Sequence, residues 1–335
     1  MENAAWAIQK PSEGDYKADV LALEERPLLP IKDGEVRVKL AYISLDPSNL
    51  MWLKLLPGWM EKVNIGDIMK GPSVAFVEAS KAEGFQVGDL VSGPINWSTR
   101  ANISANLLTL LNKDDNKPIT THLSIFSHVG RAAMLGMRYV GKIQAGETVL
   151  VSGAAGATGS LACQIAKAQG CTVIGIAGGK EKCRWLMETL GIDAVIDYKN
   201  DNVVNRLVEL CPEGPNVFFD NIGGELLDSL LPHLAINGRI AVCGQISQYG
   251  DGGGYQFNNL GYFLMRRLTM QGYVVPDFIN EYEQIDAALN ELYQQQLLKD
   301  RPHILPGLAT ASEGLEMLLS GANDGKLLVK VDPDL

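Results

Sequence analysis

Between residues 148 and 274, six short β-rich runs alternate with helical patterns: 148–151, 172–176, 194–197, 217–220, 240–243 and 268–274. Strands that each hand over to a helix before the next strand read as a parallel, doubly wound α/β sheet. Gly170, Gly191 and Gly238 follow the apolar-periodic segments, where helix-ending glycines are expected.

The first 120 residues have another texture. Val36, Val38 and Leu40 alternate with charged residues, and glycine or proline recurs at Gly66, Gly71, Pro72, Gly84, Gly88, Gly93 and Pro94. This predicts a smaller, mostly β domain. The tail adds a helix over 312–319 and a strand over 326–331, separated by Gly321, Asn323 and Gly325. A chain of 335 residues exceeds what one hydrophobic core organises, so two domains are expected.

Charge and cysteine usage narrow the partners. Twenty-nine basic against 39 acidic residues give a net charge of −10, which repels nucleic acid and anionic membranes. Five cysteines, none in Cys-x-x-Cys spacing, predict neither a disulfide framework nor a zinc ribbon. The four histidines stand in no paired ligand spacing with cysteine, so no metal site is expected. No apolar run has signal or membrane-spanning length, and the reading is a cytoplasmic, soluble protein.

The first strand of the series runs into Ser152-Gly153-Ala154-Ala155-Gly156-Ala157-Thr158-Gly159 and then into a helical pattern. Such a turn lets backbone amides and a helix N-terminus approach a pyrophosphate. Ala154 stands where the first glycine of G-x-G-x-x-G belongs; a tight connection without a ligand is the alternative. At the end of the second strand, where an acid would hold an adenosine ribose diol, the sequence is Gly178-Gly179-Lys180-Glu181-Lys182-Cys183-Arg184. Small residues and cations there favour the 2′-phosphate of NADPH over NADH. The alternative, a merely solvated first turn, places cations against the helix dipole.

Several segments in order carry a wider resemblance: Ser44-Leu45-Asp46-Pro47, Ala155-Gly156-Ala157-Thr158-Gly159, Phe219-Asp220-Asn221-Ile222-Gly223-Gly224, Cys243-Gly244-Gln245-Ile246-Ser247-Gln248-Tyr249, and Gly321-Ala322-Asn323-Asp324-Gly325-Lys326. Over nearly its whole length the chain resembles the zinc-independent medium-chain reductases of the prostaglandin reductase, leukotriene B4 dehydrogenase and bacterial curcumin reductase group. The resemblance implies a Rossmann domain over 123–297 and a GroES-like domain built from 1–122 and 298–335, with substrate in the cleft between them, and a homodimer. It implies NADPH contacts from Gly156, Ala157, Thr158, Gly159, Lys182, Tyr198, Asn221, Cys243, Gly244, Ile246, Tyr249 and Asn323. For Asn221, the 243–249 turn and Asn323, turn-forming or capping roles are the alternative.

The implied reaction is reduction of the double bond of a small apolar α,β-unsaturated ketone or aldehyde. Hydride at the β-carbon leaves an enolate, and the resemblance makes Tyr249 its hydrogen-bond donor. The pattern departs from the group at Leu50, where an arginine is usual, at Ala132-Ala133-Met134 in place of Thr-Ala-Tyr, and after Trp97, where a tyrosine is missing. These changes suggest an apolar pocket, with Trp52, Trp59, Met134 and Phe278 as its candidate lining. An NADPH:quinone reductase, a specialised biosynthetic ene-reductase and a non-catalytic NADPH-binding protein are the competing readings.

Overall fold

The computed structural model describes residues 3–12, 16–54, 63–112, 117–250 and 254–333. The chain divides into two compact units, one from Met1–Leu123 with Pro302–Leu335, the other from Ser124–Arg301.

Along the first unit run β1 (Ala4–Ile8), β2 (Leu21–Glu25), β3 (Glu35–Ser44), the helix α1 (Pro47–Leu53), β4 (Lys70–Ser80), β5 (Leu90–Asn96), β6 (Arg100–Ser104) and β7 (Thr109–Leu110). The second unit contains α2 (His128–Met134), β8 (Thr148–Ser152), α3 (Ala157–Ala168), β9 (Thr172–Ala177), α4 (Lys180–Arg184), β10 (Ala194–Asp197), α5 (Val203–Leu210), β11 (Val217–Asp220), α6 (Gly224–Leu230), β12 (Arg239–Val242), α7 (Tyr262–Arg266), β13 (Thr269–Gly272) and α8 (Tyr282–Gln294). The chain then returns to the first unit with β14 (Pro302–Pro306), α9 (Ala311–Ser320) and β15 (Lys326–Lys330).

In the first unit β1 and β2 form an antiparallel pair, and a larger sheet runs in the order β14-β15-β3-β4-β5-β7, with β6 also on β3. β3 extends four residues beyond the alternation that signals it. Register shifts after Arg37 and Leu40 let it bend, and Ala41 is buried where strict alternation would expose it.

In the second unit all six strands are parallel and ordered β10-β9-β8-β11-β12-β13, which is the 3-2-1-4-5-6 order of the doubly wound nucleotide-binding fold. Alternate residues feed opposite faces. Val149, Val151, Val173, Val217 and Phe219 enter one hydrophobic cluster, while Leu150, Ile174, Ile176, Phe218 and Ile240 enter the other. β13 is shorter than the apolar run around it; it is an edge strand bonded only to β12, and all four of its residues are exposed.

Gly170 and Gly191 end their helices in the left-handed region, with φ of 83° and 66°. Gly238 does not: the left-handed residue is Asn237, φ 63°, whose N–H bonds the Arg266 carbonyl. Asparagine tolerates that conformation well enough to take the glycine's place.

Candidate functional site

Sharp reversal at the end of β8 is carried by Gly153, whose φ is 58°. The turn therefore occurs one residue before the position at which the motif places its first glycine, and Ala154 is free to be a core residue. It is fully buried against Gly175 of β9, where a Cβ would come within 2.9 Å of the Ala154 methyl. Gly159, inside α3, lies so close to the turn that a Cβ would stand 2.3 Å from the Gly153 carbonyl oxygen. Helix and strand thus meet backbone to backbone, and the first-turn amides of α3 face the space beyond the strand end.

One strand over, Gly178 and Gly179 end β9. A Cβ on Gly178 would lie 2.6 Å from the Tyr198 ring, so the aromatic side chain occupies the place of the absent side chain. Tyr198 is half exposed there, and Lys182 lies on α4, which starts at the next residue but one. Asp197, the last residue of β10, already has its carboxylate oxygens engaged. Its carboxylate accepts from Gly179 N at 2.8 Å, Lys199 N at 3.1 Å and Asn200 Nδ2 at 2.7 Å. Burial opposes its ionisation, but these bonds outweigh it and hold the carboxyl below its usual range.

The loops after β11 and β12 are laced together. Cys243 N and Gly244 N donate to the Asp220 carbonyl, Ile246 N to the Asn221 carbonyl, and Ser247 N and Oγ to the Ile222 carbonyl. Gly224, φ 58°, permits this approach, since a Cβ would sit 2.8 Å from Ser247 Oγ. Underneath, the buried Asp220 carboxyl accepts from Ser152 Oγ at 2.7 Å and from Ile222 N and Gly223 N at 3.0 Å each. Asn221 completes the link to β8, donating through Nδ2 to the Ser152 carbonyl at 2.6 Å.

Tyr249 closes the second of these loops. Its hydroxyl oxygen accepts from Gln245 N at 3.2 Å, which leaves its own proton for another partner. Burial pushes the hydroxyl up, against the Gln245 bond, so it stays protonated across the neutral range.

Two family models match: "Zinc-binding dehydrogenase" over residues 157–291 and "N-terminal domain of oxidoreductase" over residues 4–111. The NADPH-dependent curcumin reductase of Escherichia coli is 30% identical, covering 99% of this chain and 98% of its own. A 2-alkenal reductase (NADP(+)-dependent) of Nicotiana tabacum is 32% identical over 96% of this chain and 94% of its own. The crystal structure of CurA from Vibrio vulnificus in complex with NADPH superposes with a TM-score of 0.92 at 31% identity, covering 98% and 99% of the two chains. The chain belongs to the zinc-independent medium-chain reductases.

In this medium-chain reductase the Rossmann unit brings Gly156, Ala157, Thr158, Gly159, Lys182, Tyr198, Asn221, Cys243, Gly244, Ile246 and Tyr249 to the C-terminal ends of β8–β12 or to the segments leaving them. Asn323 belongs to the first, GroES-like unit, in a turn where its Nδ2 donates to the Gly325 carbonyl at 2.8 Å. Trp52 is on α1 of that unit, half-buried against its core. Trp59 lies outside the described residues. Met134 is packed into the core of the Rossmann unit at 1% exposure, and Phe278 packs edge-on against Tyr139 at 6.1 Å.

Ser152 and Asp220 were not singled out by sequence reasoning, although they shape the site. Asp220 had a signal, an acid ending an otherwise apolar buried run. Among the described residues no group of three or more His, Cys, Asp or Glu side chains is placed to hold a metal ion. No helix among them is long and apolar enough to cross a membrane.

Proposed function

We propose that this reductase binds NADPH through the strand ends of the Rossmann unit and reduces the carbon–carbon double bond of a small α,β-unsaturated ketone or aldehyde. The observation that carries this reading is Tyr249: a protonated hydroxyl, anchored by Gln245 N–H, on the loop laced to the end of β11. The names of the curcumin and 2-alkenal reductases support the same chemistry.

The strand ends fit the cofactor. Backbone contact between Gly153 and Gly159 leaves the N-terminus of α3 open to a pyrophosphate, and the Gly178–Tyr198 contact leaves no room for an acid that would repel a 2′-phosphate. Gly156 to Gly159 would hold the pyrophosphate, Lys182 and Tyr198 the 2′-phosphate, and Asn221, Cys243, Gly244, Ile246 and Tyr249 the remainder. Bound there, NADPH supplies the hydride.

Reduction adds a hydride at the β-carbon and a proton at the α-carbon, and between the two additions negative charge collects on the carbonyl oxygen. Tyr249 answers that charge with an O–H bond to the oxygen. The Gln245 N–H behind its oxygen stabilises whatever charge the phenol takes on as it donates.

The test follows NADPH consumption with linear enals, aryl enones and quinones, with NADH in parallel. Turnover of enals or enones that falls by about 100-fold in Tyr249→Phe, chiefly in kcat, is the expected result. Turnover of quinones alone, unaffected by that substitution, would overturn it.

A further inference from the structure

The loop that carries Tyr249 leaves β12 and is bonded at its start to the loop after β11. Beyond Tyr249 the chain comes back to α6, the helix that follows β11, and one buried side chain receives it there. Asp228, 2% exposed, accepts at Oδ1 from Asn259 N at 2.9 Å. Its Oδ2 accepts from the Tyr255 hydroxyl at 3.1 Å, Asn258 N at 3.1 Å and Asn259 Nδ2 at 3.3 Å. The Asp228 carbonyl takes a further bond from Asn259 Nδ2 at 3.2 Å. An ionised carboxylate offers acceptors alone, and all of these donors come from one short segment, 255–259.

A side-chain strut joins that segment to the residue beside Tyr249. Tyr255 N donates to Gln248 Oε1 at 3.0 Å, and Gln248 Nε2 donates to Ser247 Oγ at 3.1 Å. The Ser247 proton in turn goes to the Ile222 carbonyl at 2.6 Å. This strut lies over Gly224, the first residue of α6, where a Cβ would stand 2.6 Å from Gln248 Nε2; Asp228 is one turn further along the same helix. The Tyr255 ring stands edge-on to Phe257 at 5.6 Å, and Phe257 packs against the core cluster that contains Leu227 and Leu230.

Tyr249 therefore lies between two anchorages, the turn after β11 on one side and Asp228 on the other. A single 3.2 Å bond from Gln245 N–H does not by itself fix a phenol on a loop. We propose that Asp228 is a positioning residue for Tyr249, holding the return of the loop through Tyr255 and Gln248 so that the phenol keeps its place beside the strand ends. The inference rests on the function proposed above, in which Tyr249 donates to the substrate oxygen. Cys243, Gly244 and Ile246 are bonded to 220–221 without any part played by Asp228, so the role appears in rate and not in cofactor affinity.

Asp228→Asn keeps the shape but turns an amide N–H toward donors that need an acceptor. Enal turnover is expected to fall about tenfold in kcat, with KM for NADPH within about twofold. Tyr255→Phe deletes one O–H and keeps the ring on Phe257; it should show the same split at about threefold, and it carries the test if Asp228→Asn does not fold. In a Tyr249→Phe background either substitution should cost less than about twofold more, because the residue it positions has already lost its hydroxyl. Hydrogen exchange reads the same contact without substrate: Gln245 N–H, bonded to the Tyr249 oxygen, should exchange about tenfold faster in Asp228→Asn while the amides of β12 do not change. Full multiplicative losses in the double variants, a matching rise in KM for NADPH, or unaltered Gln245 exchange would each overturn the inference. An unsubstituted protein that reduces no enal or enone, while Gln245 exchange still responds, marks the failure of the proposed function, and the positioning role goes with it.

Discussion

At Gly178 the second Rossmann strand ends without a side chain, and the Tyr198 ring fills the space that one would need. Under the proposed function, cofactor choice would be protected twice, by the cation at Lys182 and by this steric block. Lys182→Ala is expected to raise KM for NADPH about tenfold with kcat nearly unchanged, and to leave NADH kinetics alone. Gly178→Asp by itself is expected to lose NADPH use without gaining NADH, because the new Cβ collides with the ring. Adding Tyr198→Ala should open room for the acid and produce NADH turnover; steady-state kinetics with both cofactors decide this. Protonation of Tyr249 sets a second test. Its folded value is raised above the ordinary tyrosine range, so the donor keeps its proton through pH 7 to 10 and the kcat profile should show no Tyr249-dependent fall until above about 10.

Helix and strand in the glycine turn approach so closely that single methyl groups become decisive. Gly159→Ala would set a Cβ 2.3 Å from a backbone oxygen that has nowhere to move, and a loss of about 2 kcal/mol or more is expected in urea unfolding. Gly175→Ala should also destabilise, but Ala154→Gly should relieve part of it, since the two side chains compete for one space. In the other unit, Tyr16 and Ser312 share a 2.6 Å hydrogen bond that ties the segment before β2 to α9. Burial raises the Tyr16 hydroxyl to about 12, so between pH 10 and 12 the unfolded chain releases this proton while the folded chain keeps it. Stability is accordingly full below about pH 10 and falls as the pH rises to about 12. Tyr16→Phe should remove that part of the alkaline loss, as read from unfolding midpoints at pH 9 and 11.5.

What was legible in the sequence divides along the same line of scale. Five of the six Rossmann strands sit where their apolar runs place them, the inner four because a strand buried on both faces advertises itself locally; the fifth, β10, is an edge strand with only Ile196 buried. The sixth, β13, is clipped, and all four of its residues are exposed. Contacts that shape the site join residues far apart in sequence, such as Ser152 with Asp220, Gly178 with Tyr198 and Ser247 with Ile222. No periodicity encodes them, because they follow from which strands become neighbours.

For the molecule as a whole, the first unit depends on both ends of the described chain. β15 lies between β14 and β3, and Lys326 at its start forms a buried ion pair with Asp46, whose carboxylate also accepts from Ser44. Lys326→Met should cost about 3 to 5 kcal/mol by leaving that buried carboxylate without its cation, and adding Asp46→Leu should recover part of the loss. Thermal unfolding of the single and double variants checks both statements.

β3 and β15 are separated in the chain by the entire Rossmann unit, which is contiguous from Ser124 to Arg301. During synthesis, then, the Tyr42–Ser44 end of β3 leaves the ribosome long before the strand that pairs with it exists. The nucleotide-binding unit has all its strands in hand while its neighbour is still missing two, β14 and β15. A nascent chain stalled after residue 301 should already retain NADPH on a pull-down, yet yield its first 123 residues to protease.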